Sequence, residues 1–330
     1  MSRIRRRDLL TLGGGLLTVE SSTKAGTPAA QWAPRLTDRI EHAWASAESV
    51  PLWPIEPPGS SEFASQSLPD DWPPSLLRNV AQPGLHVFRP ARPNGQAVLV
   101  VPGGSYTFIS WINEGAQIAE RLTALGMAAF VLTYRLPGEG WRSRADVPLQ
   151  DAQRAIRVIR ARASHFGIDA GTVSVMGFSA GGHLAATLTT RHGEHVYERQ
   201  DDADDESARP FAAALIYPVI TLKAPWTHEQ SRLQLLGESP TDADIERRSA
   251  ELHVDGATPP VFIVHALDDD AVPVENSLRM MHALRAVKRP VEAHLLQEGG
   301  HGFGTGNASQ VAGHWLDWFP VWLSRVPTIR

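Results

Sequence analysis

The chain has 330 residues, 42% of them apolar and 20% charged, with no low-complexity array and no internal repeat at solenoid periods, so it can bury a substantial core within one domain. Its net charge is −5, but residues 1–30 hold five basic and two acidic side chains, which leaves −8 on the remainder; so acidic a body argues against nucleic acid as a partner and suits neutral substrates better than anionic polymers. The absence of cysteine excludes disulfides and a lipid-bearing cysteine anchor, and it leaves the compartment open because a core of this size needs no staples.

From the N-terminus, Arg6-Arg7-Asp8-Leu9-Leu10 resembles the twin-arginine export pattern. The apolar stretch Leu9–Val19 is too short to span a bilayer and reads as a signal core. Residues 1–30 are therefore expected to direct export to the periplasm or medium, a basic tail on a cytoplasmic protein being the alternative. No later apolar segment is long enough to insert in a membrane. Residues 31–83 form a proline-rich lead-in; within it Val50–Pro83 holds Pro51, Pro54, Pro57, Pro58, Pro69, Pro73, Pro74 and Pro83, a density that prevents regular helix and favours an extended run there. It reads as a strap over the body, a wall of the site entrance or a flexible lead-in.

The body, residues 84–330, alternates strand and helix. Leu85–Phe88 is expected as an edge strand and Ala97–Val101 as a buried one. Glu114–Leu125 reads as a helix ended by Gly126, followed by the strand Ala128–Thr133. Leu149–His165 is amphipathic, with Ala152, Ala155, Ile156, Ile159 and Ala163 on one face and Arg154, Arg157, Arg160 and Arg162 expected on a solvated one. Strands follow at Thr172–Met176, Ala212–Tyr217, Pro260–Ala266 and Val291–Leu296, and helices at Gly182–Leu188, Asn276–Val287 and Val311–Leu323. This pattern predicts an α/β fold with a mostly parallel sheet and helices on both faces. His192 and His195 have ligand-like spacing without a third partner, and the acidic stretch Asp201–Glu206 lacks calcium-loop spacing and reads as an exposed loop. No metal or cofactor is expected.

Gly177-Phe178-Ser179-Ala180-Gly181 lies between the strand at Thr172–Met176 and the helix at Gly182–Leu188, the context of a G-x-S-x-G nucleophile elbow. So sharp a turn requires Gly on both flanks, and the helix start directs N–H groups to where negative charge would develop. An acid and a His follow at the ends of later strands. Pro260–Ala266 runs into Asp268-Asp269-Asp270, and Val291–Leu296 ends in Gly299–Gly304, where glycines surround His301. The order Ser, acid, His is that of the α/β-hydrolases. Ligands of open α/β sheets bind at such strand ends. Ser179 would attack, His301 would take its proton, and one of the three Asp would hold the imidazole tautomer. The N–H of Ala180, next after the nucleophile, is the first oxyanion donor. His265 comes one turn too early for the base, and His183 is expected to pack or hydrogen-bond.

Pro102-Gly103-Gly104-Ser105-Tyr106 resembles the His-Gly-Gly-Gly loop of esterases, with Pro102 where His is usual and Ser105 where the third Gly is usual. That resemblance gives Gly104 as the second oxyanion donor, with Gly103 and Ser105 as alternatives. This loop, Tyr134-Arg135-Leu136, the segments 148–157, 177–186 and 265–277, and His301-Gly302-Phe303 occur in that order. Together they resemble bacterial carbohydrate acetylesterases of the acetyl xylan esterase-like, xylanase-B-like kind. The resemblance implies the α/β-hydrolase fold, deacetylation of sugar hydroxyls through an acyl-enzyme on Ser179, and neither metal nor dissociable cofactor. The family's strand-His-x-x-x-Asp-x-x-Val-Pro segment, matched by His265 to Pro273, implies Asp269 as the acid, leaving Asp268 and Asp270 to cap the turn or face solvent. The partner is then a small-molecule or oligosaccharide ester. A general short-chain carboxylesterase is the alternative, with a peptidase or a non-catalytic binding protein as further readings. Trp111, Trp141 and Trp226, in loops near strand ends, are candidates for a sugar platform. Trp315, Trp318 and Trp322 recur at helical spacing and read as core.

Overall fold

The computed structural model of the protein describes residues 33–327. The twin-arginine pattern at Arg6-Arg7 lies outside them. The chain divides between Asp38 and Arg39; the described part of the first unit is the start of helix α1 (Ala33–Ser46). The second unit carries β1 (Glu48–Pro51), β2 (Leu76–Leu77), β3 (Gly84–Phe88), β4 (Ala97–Val101), β5 (Ile109–Ser110), α2 (Gln117–Ala124), β6 (Ala128–Thr133), α3 (Val147–Ala161) and α4 (Ala163–Phe166). It continues with β7 (Val173–Phe178), α5 (Ser179–Arg191), β8 (Ala213–Ile216), α6 (Glu229–Leu236), α7 (Asp242–Arg248), β9 (Val261–Ala266), α8 (Glu275–Ala286), β10 (Val291–Leu296) and α9 (Trp315–Leu323).

Among the described residues, an eight-stranded sheet runs in the order β1-β3-β6-β4-β7-β8-β9-β10. From β6 to β10 every pair is parallel, while β3 joins β6, and β1 joins β3, antiparallel. Strands β4, β6, β7, β8 and β9 are buried at every position, because helices cover both faces and leave no solvated side for alternation to mark. This is the expected α/β architecture. It brings the C-terminal ends of β4, β7, β8 and β9 to one rim, where the loops bearing the candidate residues emerge. No helix among the described residues is long and apolar enough to cross a membrane.

Several elements differ from expectation. The strand at Leu85–Phe88 is internal, because the proline-rich lead-in supplies β1 as the outer strand. Downstream, β2 pairs with β5, and Pro74 accepts the Trp111 indole N–H at 2.8 Å, so the lead-in is a bonded strap. The helix expected from Glu114 opens with a π-helical turn, Ile112–Ala116, before α2. Arg154 does not face solvent. It is 2% exposed and donates to Leu52 O, to Asp201 and to the buried side of Asp204, so the acidic loop Asp201–Glu206 is pinned to α3. Its two carboxylates offset the desolvation of the guanidinium.

The segments Tyr134-Arg135-Leu136 and Gln150-Asp151 meet in the core. Arg135 and Asp151 are both fully buried, with Arg135 Nη2 at 2.8 Å from Asp151 Oδ1. Arg135 also donates to Pro58 O and Gln150, and the Trp53 indole donates to Asp151 at 2.9 Å. One ion pair thus joins the end of β6, helix α3 and the strap, with its remaining hydrogen-bond positions filled.

Candidate active site

Ser179 opens α5 directly from β7. Its φ of +51° lies in the left-handed region, a strain of about 1–3 kcal/mol that the surroundings must hold. They do so by close approach. A Cβ on Gly177 would stand 2.3 Å from Gly181 O, and one on Gly181 would stand 2.2 Å from Val101 O. The glycines flanking the serine are required by contact between β7, α5 and the end of β4, and the poor helix propensity of Gly181 is overridden by that packing.

The turn aims Ser179 at His301. Ser179 Oγ and His301 Nε2 are 2.9 Å apart, and His301 Nδ1 lies 2.7 Å from Asp269 Oδ2. Asp269 can only accept, so Nδ1 carries the imidazole proton and Nε2 is left to accept from the serine hydroxyl. Of the three clustered acids, only the Asp269 side chain turns inward, with no exposure. Its Oδ1 accepts the N–H groups of Ala271 and Val272 at 3.0 and 2.8 Å. Asp268 is exposed and accepts the Gly300 N–H at 2.8 Å, bracing the loop that carries His301, while Asp270 faces solvent. Burial alone would push the Asp269 carboxyl up. The hydrogen bonds from His265, His301 and the Val272 N–H, with the charge of His301, outweigh that and hold it well below the usual carboxylate range.

His265 has a role that reading the chain did not assign. It is fully buried on β9, with Nε2 2.9 Å from Val272 O and 3.2 Å from Asp269 Oδ2, and Nδ1 2.7 Å from Ser277 Oγ. Two acceptors at Nε2 place its proton there, so Ser277 donates to Nδ1. His265 orients the acid that orients His301. The signal available was its position four residues before Asp269 at a strand end.

The β4 loop closes the opposite wall. Gly104 has φ +128°, and a Cβ there would meet Phe108 O at 2.1 Å, so the loop accepts only Gly. Pro102 O accepts from Tyr134, and Tyr106 reaches His183 at 2.8 Å; His183 Nε2 donates to Arg248 O, so Tyr106 is the donor to Nδ1. Burial holds the His183 imidazole down at about 4, consistent with a neutral structural ring. The Gly103 N–H is taken by Glu114 Oε2 at 2.8 Å, which removes Gly103 as an oxyanion donor. Among the described residues, no group accepts from the N–H of Gly104 or Ala180. Trp111 and Trp141, considered for a sugar platform, are instead buried, while Trp226 is half-buried. Trp315 and Trp322 are buried, and Trp318 stacks on His294 with centroids 4.6 Å apart.

Residues 85–284 match the BD-FAE family. The chain belongs to this family. Its fold is the α/β-hydrolase fold. The matched span holds Gly104, Ser179, Ala180 and Asp269, and His301 follows beyond it. The chain is 39% identical over 210 residues to an endo-1,4-beta-xylanase B of Butyrivibrio fibrisolvens, covering 64% of this chain and 33% of that protein. It is 32% identical over 247 residues to an acetylxylan esterase of Xylanibacter ruminicola, covering 73% of this chain and 48% of that protein. It therefore spans half or less of the length of these curated relatives. Among solved structures it is similar to an acetyl ester-xyloside bifunctional hydrolase of Caldicellulosiruptor lactoaceticus, with a TM-score of 0.72 and 32% identity over 86% of this chain and 98% of that one.

Proposed function

We propose that this BD-FAE family member is a serine esterase that removes acetyl groups from acetylated carbohydrate of the xylan or xylo-oligosaccharide type, through an acyl-enzyme on Ser179. The observation that carries the reading is the relay from Ser179 Oγ to His301 Nε2 and from His301 Nδ1 to Asp269, set beside two unpaired N–H groups. The xylan-type substrate rests on the similarity to the Xylanibacter ruminicola acetylxylan esterase and the acetyl ester-xyloside hydrolase.

Ser179 Oγ attacks the acetyl carbonyl as His301 Nε2 takes its proton. The charge that develops on the carbonyl oxygen is received by the N–H groups of Ala180 and Gly104; a donor of this kind contributes about 2.7–4 kcal/mol to the transition state. Asp269, ionised and held by four donors, stabilises the imidazolium. His301 then protonates the leaving sugar oxygen. In the second half-reaction it deprotonates water, which attacks the acyl carbon and releases acetate and free Ser179. The export signal read at Arg6-Arg7 would place the mature enzyme in the periplasm or medium, and replacing both arginines by Lys should retain it in the cytoplasm on fractionation.

The test is acetate release from acetylated xylan, run beside p-nitrophenyl acetate and butyrate, with Ser179→Ala as the blank. Release from the polymer and the acetyl ester, lost by several orders of magnitude in a folded Ser179→Ala, is the expected result. Hydrolysis of the small esters alone would point to a general short-chain carboxylesterase. Unchanged turnover in Ser179→Ala would refute the serine mechanism.

A further inference from the structure

Acyl transfer as described leaves one buried carboxyl without a task. Glu114 is 5% exposed and lies in the π-helical turn ahead of α2. Its Oε2 accepts the Gly103 N–H at 2.8 Å and its Oε1 accepts the Tyr217 hydroxyl at 2.9 Å. The Tyr217 oxygen in turn accepts the Gly304 N–H at 3.0 Å, and its ring meets the His301 ring edge-on with centroids 5.0 Å apart. Trp315 fixes Gly304 from the other side by donating to its carbonyl at 2.9 Å. One carboxyl thus joins the loop that presents the Gly104 N–H to the loop that presents His301.

The contact reaches the nucleophile as well. A Cβ on Gly103 would stand 2.9 Å from both Glu114 Oε2 and Ser179 Cβ. A carboxyl is an expensive group to place in a core merely to fill space, since burial penalises it unless its lone pairs are satisfied. Here they are. Tyr217 has a single proton and already receives a donor from Gly304, so its proton points to Glu114. With the Gly103 N–H, the carboxyl accepts from two donors, one at each oxygen. Burial raises the Glu114 carboxyl above its ordinary range, and the bonds from Tyr217 and Gly103 with the charge of His301 offset that only in part.

We infer that Glu114 is a positioning residue that holds the oxyanion loop and the His301 loop in register through Gly103 and Tyr217. The inference rests on the esterase reading above. The other titratable groups facing His301 are Asp269 from the loop after β9, Tyr217 from the end of β8 and His228 from the segment before α6. Tyr134 and Tyr217 are the phenols that feel Glu114.

The experiment measures kcat and KM on p-nitrophenyl acetate for the wild type, Glu114→Gln and Tyr217→Phe, with Ser179→Ala as the blank. Glu114→Gln keeps the shape and removes one acceptor oxygen. Its kcat should fall by up to about 100-fold with KM little changed, the scale of a catalytic group displaced by roughly 1 Å. Tyr217→Phe cuts the link from Glu114 to Gly304, so kcat should likewise fall with KM little changed. A Glu114→Gln enzyme with wild-type kcat, or one whose loss lies in KM, overturns the inference. If Glu114→Gln does not fold, an undiminished kcat in Tyr217→Phe overturns it and a loss confined to kcat supports it. A wild type without Ser179-dependent hydrolysis would refute the esterase reading itself, an outcome distinct from all of these.

Discussion

Asp269→Asn tests the site most sharply, because the four hydrogen bonds at this carboxylate dictate how an amide must sit. Oδ1 accepts two backbone N–H groups, from Ala271 and Val272, so the amide oxygen has to take that position. The amide NH2 then occupies the place of Oδ2, facing His301 Nδ1 at 2.7 Å and His265 Nε2 at 3.2 Å. His265 Nε2 remains a donor to Val272 O and loses its second acceptor. His301 Nδ1 must accept from the amide, which moves the imidazole proton to Nε2, where it can no longer take the proton of Ser179. A tautomer reversal of this kind costs about 10⁴-fold in kcat, roughly 5 kcal/mol of transition-state stabilisation. Asp268→Asn, at an exposed side chain with one backbone donor, should cost at most about tenfold, the scale of a single net hydrogen bond, and Asp270→Asn should be near neutral. Steady-state hydrolysis of p-nitrophenyl acetate by the three variants gives the ranking. The same substitution has a stability signature. The folded Asp269 carboxyl titrates below its unfolded value, so its contribution is complete above about pH 4 and is lost as pH falls through the folded value. Denaturant unfolding should therefore show the largest gap between wild type and Asp269→Asn near neutrality, and the gap should close in acid. A variant retaining more than a tenth of wild-type kcat, or an Asp268→Asn equally impaired, would refute the reasoning.

Two further substitutions probe the scaffold. Asp151→Ala leaves the Arg135 guanidinium buried without its carboxylate and should cost about 3–5 kcal/mol in denaturant unfolding; a loss below about 1 kcal/mol would show that the pair does not bind the strap to the sheet. Gly181→Ala forces a methyl to 2.2 Å from Val101 O and 2.4 Å from Pro102 O, both backbone atoms, so it should destabilise by about 1–3 kcal/mol and displace the oxyanion loop; wild-type activity and melting temperature would contradict the close approach.

Some of this protein is written in neighbouring residues. The nucleophile turn was legible because its sterics act over a few positions: a strand of Val and Met, a serine forced to positive φ, glycines at 177 and 181 where no Cβ fits, and a helix directly after. The alternation of buried strands with amphipathic helices likewise records the sheet, since burial on both faces leaves apolar runs at β4, β7 and β9, interrupted only by Ser174 in β7 and His265 in β9. The chain order Ser179, acid, His301 then named the chemistry to be sought.

The choice among Asp268, Asp269 and Asp270 was not legible from spacing alone. It depends on which carboxyl turns inward to meet His301, 32 residues away in sequence from Asp269. The internal place of β3, the burial of Arg154 against the acidic loop, the His265–Asp269 bond and the Glu114–Tyr217 link were decided in the same way. A hydrogen bond between residues as distant as Glu114 and Tyr217 leaves no periodic trace in either segment, because each group only needs to reach the other once the sheet has brought its strand ends to a common rim. Local sterics and periodicity are therefore properties of the sequence itself, whereas the partners of its buried polar groups exist only in the folded chain.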